Sequence, residues 1–300
     1  MGKIVIIGSS NTDLVVKSAK IPVAGQTILG ENFKVVAGGK GANQAVAAKR
    51  LGGDVVFVTK LGRDSFGDNT CKALVEEGFN PEFIFRDEKA ASGVALINVS
   101  SSGENSIVVA PGANFTFTRE DIDSVANQII SADIVLLQLE IPMEIVRYVV
   151  DFAYSNGVKV VLNPAPAAHL DDDLLSKLYL VTPNEIESGC LCGESSENVE
   201  INARTLLSKG VGNVIVTLGE NGSLLMTHEG SKIIPALKVN AVDTTAAGDT
   251  YNGALCVALA SGKTLSEAVV FATKASAISV TREGAQPSVP TLEEVENFNA

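Results

Sequence analysis

Residues 134–163, IVLLQLEIPMEIVRYVVDFAYSNGVKVVLN, read as strand, helix and strand. Ile134–Leu137 is a short apolar run, Met143–Tyr154 carries an amphipathic helical pattern, and Val158–Leu162 is again a β-branched run. A helix joining two such runs makes a βαβ unit, in which the strands lie parallel and the helix covers one face of the sheet. The alternation recurs along the chain. Ile4–Ile7, Val55–Lys60, Leu178–Val181 and Val214–Thr217 are further candidate strands, and Gly41–Arg50 and Asn198–Lys209 further candidate helices. The expected fold class is therefore α/β, a doubly wound, mostly parallel sheet flanked by helices. Two stretches, roughly 12–36 and 93–110, break the pattern. In the second, Gly93–Val99 and Asn105–Val109 flank the turn Ser100–Glu104 and read as a hairpin. Together the two are expected to form a small β-sheet lid on a single domain spanning 1–300.

Composition narrows the function classes. Three hundred residues with 46% hydrophobic content can bury a large core, and no low-complexity linker or internal repeat divides the chain. The 23 basic residues against 35 acidic ones give a net charge of −12, and no Lys/Arg run could track a phosphate backbone, so nucleic acid is excluded as a partner class. An acidic protein that uses ATP must attract it locally, through helix N-termini, a few cations and metal ions. Met1–Gly8 is too short an apolar run for a signal peptide, and the longest apolar stretches fall short of a membrane span, so the expected location is cytoplasmic. Cys71, Cys190, Cys192 and Cys256 form no C-x-x-C pair and His169 and His228 lie far apart, which argues against zinc. Cys190 and Cys192 are expected to pack at a helix end as free thiols.

In open α/β sheets the site lies beyond the carboxyl ends of the strands. Asn11, Asp13, Glu140, Asn163, Asn184, Glu187 and Gly219 all follow candidate strands. No Walker A sequence and no G-x-G-x-x-G turn after the first strand occur. Instead Gly38-Gly39-Lys40-Gly41-Ala42-Asn43-Gln44-Ala45 opens a helix, where backbone, the Asn43 amide and the Lys40 cation could approach a polyhydroxylated ligand; a tight turn with no ligand is the alternative. Asn11 and Asp13 share one side of an extended segment and suit a vicinal diol, or else form an Asx turn. Asn184 and Glu187, three apart at a helix start, could position hydrated Mg2+ or simply form a capping box. Thr217–Gly222 is a strand and a Gly/Asn turn, fit for a nucleotide or for an ordinary hairpin. Val242-Asp243-Thr244-Thr245-Ala246-Ala247-Gly248-Asp249-Thr250 sets small residues and one carboxylate at the start of an apolar helix. The free N–H groups of Ala246–Asp249 would make an anion hole, and Asp249 could accept a proton from an alcohol, or else cap the helix.

Taken in order, Gly8–Asp13, Gly38–Ala45, Gln138-Leu139-Glu140, Asn163-Pro164-Ala165-Pro166, Thr182–Glu187, Asp243–Asp249 and Thr281–Ser288 resemble the ribokinase-like family of carbohydrate kinases over essentially the whole chain. The resemblance implies an α/β domain with a β-sheet lid, often shared across a homodimer. It implies phosphoryl transfer from ATP to the 5-hydroxyl of D-ribose, with Asp249 as the base and Ala246, Ala247 and Gly248 as the anion hole; the rival readings are a 2-deoxyribose or nucleoside kinase of the same family, or a non-catalytic sugar-binding protein on the same scaffold. Asn11, Asp13, Gly39, Lys40, Gly41, Ala42, Asn43 and Glu140 would line the sugar pocket. Asn184, Thr217, Gly219, Gly222, Gly248 and Thr273 would contact ATP, with Glu187 organising Mg2+. K+ would sit by Asp243, the carbonyls of Thr245, Ser279, Arg282 and Gly284, and Ser288. The chain departs from the family's usual pattern at Glu185–Gly193, where Gly189 and Gly193 are expected to weaken the helix, and at Ala247, where many relatives have Gly.

Overall fold

Ile4, Val5, Ile6 and Ile7 are all fully buried, which requires a strand covered on both faces. They form β1 (Lys3–Ile7), the pivot of the large sheet in the computed structural model, which describes residues 2–298. The other strands among these residues are β2 (Asn11–Ser18), β3 (Gly30–Gly38), β4 (Asp54–Gly62), β5 (Ile84–Asp87), β6 (Gly93–Ser100), β7 (Asn105–Ala110), β8 (Ile134–Leu137), β9 (Lys159–Leu162), β10 (Leu180–Val181), β11 (Val214–Thr217), β12 (Ser223–Thr227) and β13 (Gly230–Ile234). The helices are α1 (Lys40–Arg50), α2 (Ser65–Glu76), α3 (Arg119–Ser124), α4 (Ala126–Ile130), α5 (Met143–Ser155), α6 (Asp172–Leu175), α7 (Glu185–Cys192), α8 (Val199–Ser208), α9 (Ala247–Ala260), α10 (Leu265–Ser279) and α11 (Leu292–Glu296).

The large sheet runs β13-β12-β11-β10-β9-β8-β1-β4-β5, parallel from β5 to β11 and antiparallel at its last two strands. Alternate residues of β1 enter different cores. Val5 and Ile7 belong to the core that α5 and α8 cover, and Ile4 and Ile6 to the core that α1, α9 and α10 cover. From β1 the chain reaches β4 on one side and later β8 on the other. The strand order therefore reverses at β1, and a crevice opens at its carboxyl end, where Gly8–Asn11 and Gln138–Glu140 emerge.

The second sheet, β3-β2-β6-β7, rises from that same end. Its β2 pairs antiparallel with β3 and parallel with β6, so the sheet is mixed rather than a simple meander. Asn11, the first residue of β2, lies opposite both Gly38 and Gly93. Cross-strand partners share a face, which puts Leu14, Val35, Leu96 and Val108 on one side and Asp13, Ala95 and Val109 on the other.

Three features differ from the sequence-based expectations. β10 begins at Leu180, because the Leu178 N–H still closes the turn after α6 onto the Leu175 carbonyl at 3.1 Å. Three strands lie outside the candidate list: β12, which pairs with β11 as the hairpin that Thr217–Gly222 allowed, and the edge strands β5 (IFRD) and β13 (GSKII), whose polar and charged residues hide them among the turns. And α7 forms despite its glycines: Gly193 (φ 68°) supplies the left-handed C-cap, and a Cβ on Gly189 would lie 2.8 Å from the Glu194 carbonyl.

Candidate active site

The start of α9 has no side-chain cap. Its N-cap is Ala246, held left-handed at φ 57°, and the Thr250 N–H closes back onto the Ala246 carbonyl at 2.8 Å. A non-glycine residue in this region carries strain, which concentrates at functional sites. Asp249 sits three residues past the cap and does not cap the helix. Its Oδ2 accepts from Asn43 Nδ2 at 3.0 Å and its Oδ1 from Gln44 Nε2 at 2.9 Å. A Cβ on Gly248 would meet no atom within 4 Å, so the approach to this helix end is open.

Asn43 and Gln44 come from α1, whose start is drawn against the crevice by two glycines. Gly39 has φ 88°, and a Cβ there would lie 2.7 Å from the Asn11 nitrogen; a Cβ on Gly41 would lie 2.5 Å from the Ser9 nitrogen. No side chain of α1 caps it. Glu140 does so from across the crevice, its Oε2 accepting from the Lys40 N–H at 3.0 Å and from Ser9 Oγ at 2.5 Å. Helix α9 packs close to α1 because residue 253 is glycine: a Cβ there would lie 2.6 Å from the Gln44 carbonyl.

Asn11 is oriented by Asn114, a buried residue that follows β7. Asn114 Nδ2 donates to Asn11 Oδ1 at 2.8 Å and to the Ser10 carbonyl at 3.1 Å, while its Oδ1 accepts from the Ser10 N–H at 2.9 Å. The Asn11 amide nitrogen is thereby aimed as a donor. Burial, with Glu140 and Asp249 nearby, pushes the Asp13 carboxyl from 3.8 up to about 6. Lys40 is shifted the opposite way in effect: Asp249, against the cost of burial and together with Glu140 and Glu187, stabilises its charged form. Asp13, Lys40, Glu140 and Asp249 thus feel one another across a single crevice.

On the other side of α9 lies a cavity of about 580 Å3. Thr217, Gly219, Gly222, Gly248 and Thr273 line it, with Tyr251 in its wall, so it opens onto the start of α9. Asn184 and Glu187 do not line it. They form a reciprocal capping box, Asn184 Oδ1 accepting from the Glu187 N–H at 2.8 Å and Glu187 Oε2 from the Asn184 N–H at 2.9 Å. Asn184 bridges to Thr217 at the cavity's edge, and burial raises Glu187 above the usual carboxylate range, against the pull of the Asn184 hydrogen bond and of Lys40.

Asp243 ties the loop before α9 to the chain after α10. Its Oδ1 accepts from the Thr245 N–H at 2.9 Å and hydroxyl at 2.6 Å, and its Oδ2 from the Gly284 N–H at 2.9 Å. Burial opposes ionisation, but these hydrogen bonds outweigh it and hold Asp243 below the usual range. At the end of α10 the Ser279 carbonyl accepts from the Arg282 N–H at 3.0 Å, and further along the Ser288 hydroxyl donates to the Ala285 carbonyl at 2.7 Å. The Arg282 side chain turns away to Glu294.

Sequence reasoning missed the amides around these residues. Gln44, Gln138, Asn114 and Gln286, which donates to Asn43 Oδ1 at 3.3 Å, are all buried and none was singled out. Gln44 carries no signal of its own: in KGANQAVAAKR it stands among Lys40, Asn43, Lys49 and Arg50, and only the packing of the whole fold buries it.

The sequence pattern of the pfkB family carbohydrate kinases matches residues 1–292. The chain is 42% identical to the ribokinase of Haemophilus influenzae over 296 residues, covering 98% of this chain and 97% of that one. It is 38% identical to the deoxyribokinase of Salmonella typhi over 299 residues, covering 98% of each. Among solved structures it resembles the ribokinase of Arabidopsis thaliana complexed with ribose and ATP, with a TM-score of 0.91, 31% identity and 99% of each chain covered.

Proposed function

The chain belongs to the pfkB family of carbohydrate kinases, and on that premise we propose that it transfers the γ-phosphoryl group of ATP to the 5-hydroxyl of D-ribose, giving D-ribose 5-phosphate and ADP. The observation that carries this reading is the Asp249 carboxylate, held by neutral amides at an uncapped helix start that opens onto a cavity of nucleotide size. The hydroxyl oxygen bonds to the γ-phosphorus, the bond from that phosphorus to the ADP oxygen breaks, and the hydroxyl proton passes to Asp249. The backbone N–H groups of Ala246, Gly248 and Asp249 offset charge on the transferring group; that of Ala247, expected to be free, instead donates to the Thr244 carbonyl at 3.2 Å, closing the turn before α9.

Asn11 donates to the sugar and Asp13 accepts from it, while Gly39, Lys40, Gly41, Ala42, Asn43 and Glu140 close the pocket around the ring. Thr217, Gly219, Gly222, Gly248 and Thr273 receive the nucleotide, with Asn184 at the rim. Glu187 Oε1 has no hydrogen-bond partner among the described residues, so Glu187 is the side chain that would hold hydrated Mg2+, which neutralises phosphate charge. The oxygen-only set of Asp243, the carbonyls of Thr245, Ser279, Arg282 and Gly284, and Ser288 suits K+, a cation that would order the loop before α9. The setting is cytosolic, where ATP is at hand, and no described helix is long and apolar enough to cross a membrane. The lid sheet would pair two copies into a homodimer through its outer apolar face.

The Salmonella relative favours one second reading, 2-deoxyribose as the acceptor. Asn11 beside Asp13 argues for the diol, because a missing hydroxyl would leave buried polar groups unpaired. ADP release from Mg·ATP with D-ribose, 2-deoxy-D-ribose, D-fructose and adenosine, in potassium and in sodium buffer, tests the proposal. A kcat/KM preference for ribose and higher activity in potassium are expected; preference for deoxyribose selects the second reading, and indifference to the cation removes K+ from the scheme.

A further inference from the structure

Gln44 is wholly buried on α1, away from any position a substrate could reach, yet its amide is fully engaged. Nε2 donates to Asp249 Oδ1 at 2.9 Å and to Asn163 Oδ1 at 3.0 Å, and Oε1 accepts from Gln138 Nε2 at 2.6 Å. The orientation of this chain of amides is fixed from one end. The Thr182 carbonyl can only accept, so Asn163 must turn its nitrogen toward it, at 3.0 Å, and its oxygen toward Gln44. Gln44 must then present its nitrogen to Asn163 and Asp249, and Gln138 its nitrogen to Gln44.

Gln138 adds a second observation. Its own oxygen is buried with no hydrogen-bond partner among the described residues, and a Cβ on Gly8 would lie 2.2 Å from it. A buried acceptor left unpaired is unfavourable. What Gln138 contributes here is its nitrogen, which seats Gln44. The carboxyl ends of β8, β9 and β10 are in this way clipped, through Gln44, to a carboxylate on α9.

We infer that Gln44, seated by Gln138, is a positioning residue for phosphoryl transfer: with Gln44 on Oδ1 and Asn43 on Oδ2, each oxygen of Asp249 has one amide donor, and Gln44 fixes the torsion of the carboxylate so that a lone pair of Asp249 meets the hydroxyl as the new O–P bond forms. Gln44 itself transfers no proton. The inference rests on Asp249 being the base.

Three full-length variants, Gln44→Met, Gln138→Leu and Asp249→Asn, test it by steady-state kinetics with D-ribose and Mg·ATP. Gln44→Met is expected to lower kcat about 10- to 100-fold, the range for loss of a group that orients a reacting one, with KM for both substrates within about twofold of the parent. Gln138→Leu, which leaves every contact of Asp249 in place, is expected to lower kcat by about three- to tenfold with the same constancy of KM. A role in stability alone would lower the thermal midpoint without changing kcat per folded molecule. If Gln44→Met does not fold, Gln138→Leu decides. An inert Asp249→Asn beside variants of Gln44 and Gln138 whose kcat stays near the parent value, or whose losses fall on KM, overturns the positioning role alone. Normal turnover in Asp249→Asn overturns the base assignment, and this inference with it.

Discussion

At the scale of single residues, Asp13 sets binding against stability. Its carboxyl is pushed from 3.8 to about 6 by burial and by Glu140 and Asp249, so the folded state holds a proton that the unfolded chain releases. Below pH 4 both states are protonated and Asp13 costs nothing. As pH rises from 4 to 6 the unfolded state alone ionises, and above 6 a penalty on the order of 3 kcal/mol is fully present. Asp13→Asn is therefore expected to raise the thermal midpoint at pH 7.5, with the gain shrinking as pH falls toward 4, while raising KM for the sugar at least about tenfold through loss of a buried acceptor. Melting curves at the two pH values and sugar saturation curves check this; an unchanged midpoint at pH 7.5 would refute the penalty. In the unmodified protein, KM for the sugar should rise as pH falls below 6, because a protonated Asp13 accepts hydroxyls poorly. Asp13 and Asn11 were legible in sequence because spacing in a strand fixes which side chains share a face. Gln44 and Asn114 were not, since their partners lie 205 and 103 residues away and no local rule brings those positions together.

Among elements, the decisive contact is α1 against α9. Gly253 allows it, and Gly253→Val is expected to push the helices apart, costing about 1–3 kcal/mol as an overpacked core does. Because Asn43 and Gln44 reach Asp249 across that contact, kcat should drop at least about tenfold, while KM for ATP, proposed to bind in the cavity on the far side of α9, stays near the parent value. Urea denaturation and kinetics check both halves. The parallel strands other than β5, and helices α1, α5, α8 and α9, could be read from the chain because buried β-branched runs and 3.6-residue periodicity are local properties. Helix ends were less legible. The capping box of α7 was visible as Asn184 and Glu187 three residues apart, but the cap of α1 is Glu140, 100 residues from the N–H it accepts, and α9 has no cap to find. The glycines of α7 misled for the same reason: Gly193 serves as a left-handed cap and Gly189 admits a neighbouring loop, and both depend on packing rather than on propensity.

For the whole molecule, the small sheet presents two unlike faces. One carries Asp13 toward the crevice. The other carries Leu14, Val16, Phe33, Val35, Leu96 and Val108, with Phe33 61% and Val108 63% exposed, an apolar face of the kind that covers itself by association. The double change Phe33→Glu and Val108→Glu is expected to yield monomers on size-exclusion chromatography with light scattering, and to raise KM for the sugar because Asn11 and Asp13 ride on this sheet; a parent protein that is itself monomeric would remove the dimer from the scheme. The reach of α1 to distant partners also bears on how the protein is made. A ribosome releases the chain at about 5–20 residues per second, so α1 emerges well before Glu140 arrives to close its end, and roughly 10–40 s before Asp249, 205 residues beyond Gln44. During that wait Asn43 and Gln44 face water, which neutral amides tolerate and which apolar side chains in their place would not. If Asp249 is the base, a nascent or truncated chain lacking it has none, and phosphoryl transfer begins only when α9 has docked against α1.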